Sequence, residues 1–169
     1  MLPELLPDWE AIEAGKAEIV RRARALAPEV FAAPRRQGQW SYAQTLQHLA
    51  IAEGEVTRQI AAMQAAQNPS ALPKTSPLFV LLLTKLLRWG IPLPAPPNML
   101  PPDSPLSLAE SEELWNEKRA IFKARLEAVR TGDLAVPIAL HSIAGPLNAR
   151  QVLALADAHQ RYHLRQFPK

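Results

Sequence analysis

Apolar residues recur at steps of three and four along most of this chain, and the order of those stretches predicts its architecture. Trp9, Ile12, Lys16, Ile19, Ala23 and Leu26 mark a first amphipathic helix over residues 8–27, ended by Pro28. A loop at 35–39 follows. Ser41 then opens a second helix, with Gln44 placed to complete a capping box. Its stripe is Tyr42, Leu46, Leu49, Val56, Ile60 and Met63, with Glu53 inside it, and it runs to about Gln67, before Asn68-Pro69. A third helix over 107–130 starts at the capping box Ser107–Glu110 and carries Leu108, Trp115, Phe122 and Val129 at seven-residue steps. A fourth, capped by Asn148 with Gln151 opposite, ends at Phe167-Pro168.

Between the second and third helices lie residues 68–106. A short helix is expected from Pro77 to Trp89, closed by Gly90. Seven prolines between Pro92 and Pro105 then forbid regular structure and favour an extended, polyproline-like chain. Residues 133–148 read as irregular, and no stretch reads as a convincing strand. The expectation is an all-α, four-helix bundle in one domain over 1–169, with a long proline-rich crossover between helices 2 and 3.

Candidate chemistry sits in the last helix. His159 and His163 are four residues apart, which puts both imidazoles on one face with Cβ atoms about 6 Å apart. They continue the stripe of Val152 and Ala156, so the buried face changes from apolar to imidazole. Two inward imidazoles can share a metal ion, and they can equally be core histidines making ordinary hydrogen bonds. His48 lies beside Leu49, off the centre of its stripe, so periodicity alone does not turn it inward.

Two stretches resemble the signatures of the DinB/YfiT-like superfamily. The first is residues 38–50, in which Trp40-Ser41 opens a helix and His48 sits near its second turn. The second joins the loop His141 to Leu147 with His159-x-x-x-His163 and Gln166. The resemblance implies a helical bundle, often homodimeric, that holds a divalent metal through His48, His159 and His163. It also implies chemistry of the kind seen in thiol-dependent S-transferases and a maleylpyruvate isomerase that uses a low-molecular-weight thiol. His141 corresponds to the family's non-ligand loop histidine and is expected to bond loop backbone.

Three histidines leave a coordination position open, and nitrogen-only ligation suits Zn, Ni, Fe or Cu. Candidates to orient the imidazoles are Glu53, Gln44, Asp157 and Gln166. The favoured reading of Glu53 is a stripe-edge residue reaching water; Gln44 also reads as a cap, and Asp157, about 160° round the helix from His159, reads as solvated. Trp40 is a candidate pocket wall. Arg161 and Arg165 flank the histidines, as surface residues or as holders of an anionic thiol.

Composition narrows the field. The chain has no cysteine, which removes disulfides, thiolate metal sites and a cysteine nucleophile. A net charge of +3 without an aromatic ladder gives no footprint for nucleic acid. Arg21, Arg22 and Arg24 read as a solvated face. The apolar run 78–87 is shorter than the ~20 residues of a membrane span and contains Lys85, so no transmembrane segment is expected. No signal peptide is read at 1–8, and a cytoplasmic location is expected. The predicted function is metal-assisted transfer to, or hydrolysis of, a small molecule. The rival is a non-catalytic bundle that uses 78–83 as a contact or dimerisation surface. A weaker third reading lays that segment on a membrane surface.

Overall fold

The computed structural model describes residues 1–65, 77–141 and 143–169. Among them the protein is mostly helical, with six helices and one two-stranded sheet. The helices are α1 (Leu6–Arg24), α2 (Pro28–Ala32), α3 (Tyr42–Ala65), α4 (Pro77–Trp89), α5 (Leu108–Glu127) and α6 (Ala149–Leu164). The expected continuation of the second helix to Gln67 lies outside the described residues.

The expected caps are in place. Ser41 and Gln44 exchange side-chain and backbone bonds at the start of α3. Ser107 with Glu110, and Asn148 with Gln151, form complete capping boxes on α5 and α6. Gly90, at φ 83°, closes α4: its amide reaches the Leu87 carbonyl and that of Ile91 reaches Leu86, a reversal that favours glycine.

Three expectations need correction. The proline-rich stretch expected to exclude regular structure carries a 3-10 turn at Pro97–Met99. The first helix stops at Arg24, and Pro28 begins α2 rather than merely ending what precedes it. Proline suits a first helical turn because its missing N–H would be unbonded there anyway. The stretch read as irregular before the last helix contains a hairpin, β1 (Ala139–His141) paired antiparallel with β2 (Gly145–Leu147). Strands of three residues are too short to show an alternating pattern in sequence.

α3 packs along α5, and α6 contacts both α1 and α4. Leu5, Trp9, Ile12, Ile60, Phe122, Leu126 and Leu153 fill one core cluster. Ile19, Leu46, Leu49, Trp115 and Phe167 fill a second. A buried charged network lies among the same helices. The Arg119 guanidinium of α5 donates to both oxygens of Glu53 on α3, at 2.6 and 2.8 Å, and to Glu13 of α1 at 2.5 Å. Trp115 Nε1 donates to Glu53 at 3.0 Å. Gln160 of α6 joins when its amide oxygen faces Arg119 Nη2 (2.6 Å) and its nitrogen faces the Ile12 carbonyl (2.9 Å). Gly15 makes room for it, since a Cβ there would lie 2.7 Å from the Gln160 amide.

Both Glu53 and Arg119 are more than nine-tenths buried, so removing one partner strands a charge away from water. Arg119→Met is expected to lower unfolding free energy by about 3–5 kcal/mol in chemical denaturation, and adding Glu53→Leu should recover much of the loss. Equal stability of the single variant and wild type would contradict the assignment.

Candidate metal centre

α3 and α6 bring His48, His159 and His163 together, with a ligand atom from each within 4.8 Å of the others. His48 Nε2 lies 3.1 Å from His159 Nε2, and His163 Nε2 lies 3.1 Å from the same atom. His48 and His163 are buried. The turn before α3 sets Trp40 with its ring centroid 4.8 Å from that of His48, against the cavity.

Hydrogen bonds on the far side of two rings fix their tautomers. His48 Nδ1 is 2.7 Å from the Met99 carbonyl, which can only accept, so that nitrogen carries the proton and Nε2 presents a lone pair. His163 Nδ1 is 3.1 Å from Gln166 Oε1, which also accepts from Arg35 Nη1 at 2.8 Å. Its Nε2 is likewise a lone pair. His159 Nε2 carries at most one hydrogen and can bond to only one of them. The other Nε2 lone pair, 3.1 Å away, then has no hydrogen to accept unless a cation lies among the three.

A proton is a poor candidate for that cation. Burial holds the His159 pKa well below its ordinary value, with His163, His48 and His141 adding to the effect. Burial, then His48, pushes His163 down to about 3, against the opposing pull of Gln166. Burial also lowers His48. A divalent ion fits the donor set better. Nitrogens bound at about 2.0–2.1 Å round a tetrahedral ion lie ~3.3 Å apart, close to the spacing observed.

A family model described as the DinB superfamily matches residues 11–167. The chain belongs to the DinB superfamily. Comparison with curated proteins and with solved structures found no match. Membership together with the converging histidines fits a metal-binding DinB-like protein.

The other predicted site residues scatter. Gln166 contacts His163. Gln44 bonds Ser41 and the Pro102 carbonyl, and no histidine. Glu53 neither orients an imidazole nor reaches water, because Arg119 and Trp115 engage both its oxygens. Asp157 is buried rather than solvated: Arg88 of α4 and Arg161 share its carboxylate. Arg161 is thereby occupied within α6, while Arg165, which donates to the carbonyls of Leu87 and Arg88, and the Arg88–Asp157 pair tie α4 to α6. Arg21 and Arg22 pair with Glu18, and Arg24 pairs with Glu112. His141 Nδ1 accepts from the backbone amides of Ile143 and Ala144, bracing the hairpin turn.

Sequence reasoning missed Arg35 and the Met99 carbonyl. Arg35 looks like its exposed neighbour Arg36 in sequence, and a backbone oxygen carries no side-chain signal.

The histidines sit in the wall of a cavity of about 530 Å³. Leu83 and Leu87 of α4, Leu93 and Met99 of the crossover, and Leu155 of α6 form much of its apolar lining.

Unfolded, an imidazole takes up its proton near pH 6.5, whereas folded His163 does so near 3. The unfolded chain holds more protons in that window, so stability of metal-free protein falls as pH drops from about 6.5 towards 3. Denaturation series across that range measure the slope, and His163→Gln should flatten it. An identical slope in the variant would contradict this account.

Proposed function

We propose that this protein is a small metal-dependent enzyme of the DinB type, acting on a small molecule bound in the cavity. The observation that carries the proposal is the meeting of three Nε2 atoms, two of them held as lone pairs by hydrogen bonds on the opposite side of the ring. His48, His159 and His163 would hold one divalent ion, with Zn, Ni and Fe as candidates. The ion would supply Lewis acidity, favouring the thiolate of a low-molecular-weight thiol or the deprotonated form of water. Transfer and hydrolysis both lie within that chemistry.

The chain's own residues divide the remaining work. The Met99 carbonyl and Gln166 keep imidazole lone pairs aimed inward. Trp40 and the leucines of α4 keep bulk water from the polar end of the cavity. In this reading α1, α3, α5 and α6 are the four helices of a bundle in one domain over 1–169, and α4 with the proline-rich crossover roofs the pocket. No described helix is long and apolar enough to cross a membrane. A cytoplasmic location is part of the proposal.

Elemental analysis of untagged protein is expected to find one divalent ion per chain. His48→Ala, His159→Ala and His163→Ala should each abolish tight binding, and Gln166→Ala should weaken it about 10- to 100-fold. Wild-type protein that takes up no ion would end the proposal.

A homodimer is the second element. Leu78 is 75% exposed and Trp89 70%, and Leu81 and Leu82 are also exposed on the outer side of α4. Val80, Leu83 and Leu87 are buried on its inner side. A helix apolar on both sides needs covering on both. Sedimentation should show a dimer for wild type and a monomer for Leu82→Lys. A wild-type monomer at high concentration would remove this element.

A further inference from the structure

Arg35 differs from the fully buried cation Arg119. Arg119 is matched by two carboxylates, Glu53 and Glu13. Arg35 is half-buried in the cavity wall, yet no carboxylate among the described residues pairs with it. It donates Nε to the Trp40 carbonyl at 2.8 Å and Nη1 to Gln166 Oε1 at 2.8 Å, both neutral acceptors. A guanidinium has five N–H donors, so three stay uncommitted. Burial lowers its pKa, with Tyr42 and Tyr162 acting the other way. A cation drawn partly out of water with no counter-charge is costly unless something else supplies one.

The rest of the cavity agrees in sign. Among the described residues its one lining carboxylate, Glu53, already has both oxygens engaged. His141 also lines it, and because Nδ1 accepts two amides, the proton of the neutral ring is on Nε2, a donor. The polar end thus presents a positive charge and donors from Arg35 and His141 beside the Nε2 lone pairs of His48 and His163. Beyond it the lining is long and mostly apolar, with Gln59 among its polar members. His48 and Gln59, both in the lining, are eleven residues apart on α3, about 16 Å of helix.

We infer that the cavity takes an elongated apolar molecule with an anionic head, and that Arg35 binds the head beside the three histidines. This rests on the reading of the cavity as the substrate site and names its substrate class. Arg35 is a specificity-determining residue. Its link to Gln166, which also holds His163, sets the head next to the candidate metal position. Lysine would keep the charge and lose the fork that reaches Trp40 and Gln166 together.

The test uses decanoate and 1-decanol, equal in chain and different in head, titrated calorimetrically into full-length protein, metal-free and zinc-loaded. Metal-free wild type is expected to bind decanoate about tenfold or more tightly than decanol, since hydrogen bonds to charged groups discriminate at that level. Arg35→Gln should erase the preference without weakening decanol binding, and Arg35→Lys should keep part of it. Melting curves check that both variants fold, and the wild-type comparison stands without them. Equal binding of the two probes, a preference that survives Arg35→Gln, a preference that appears only with zinc, or no binding of either probe would each overturn the inference. Failure to bind zinc would instead refute the metal reading, and the metal-free titrations would still decide this one.

Discussion

The pairing of Glu53 with Arg119 is the constraint on which the rest of the structure depends. Two charges taken out of water hold each other only if the geometry is right, and here the network draws on α1, α3, α5 and α6 at one level. A helix that slid by a turn would leave a charge unmatched. Apolar packing alone tolerates such slippage far better than a fork of directed bonds does. The consequence for chemistry is direct. Gln160 follows His159 in sequence and precedes His163 by three residues, so the bond that fixes the rotation of α6 also aims both imidazoles.

Long-period features of this fold were legible in the sequence. The helices, three of their caps and the glycine closing α4 follow from local rules, because a helix end must satisfy its own amides and carbonyls within a few residues. The hairpin and α2 were not legible, being shorter than the window in which periodicity can be seen. Among the site residues, the four-residue spacing of His159 and His163 announces a shared face. His48 was placed by resemblance alone, since its stripe position argues against an inward aim.

The partners of Glu53 were readable in hindsight. Trp115, Arg119 and Phe122 share a face of α5, so a lone arginine interrupts an apolar stripe as Glu53 does on α3. Two opposite charges, each alone in a buried stripe, are candidates to meet. Arg35 offered no such clue, because its importance lies in a missing counter-charge, and absence of a partner is a property of three-dimensional surroundings only. Asp157 was misread for a related reason. Helical angle places it away from the histidines, but α4 covers that side, and a crossover helix has no fixed position in a periodic pattern.

Residue 99 separates two tasks onto different atoms. Its carbonyl sets the orientation of His48, and its side chain belongs to the cavity wall. A main-chain oxygen survives any replacement of the side chain attached to it. Evolution, or an engineer, can therefore rewrite the crossover to admit differently shaped molecules without retuning the imidazole it supports. A stretch of chain rich in proline, whose backbone is stiff whatever its decoration, is well suited to such a division.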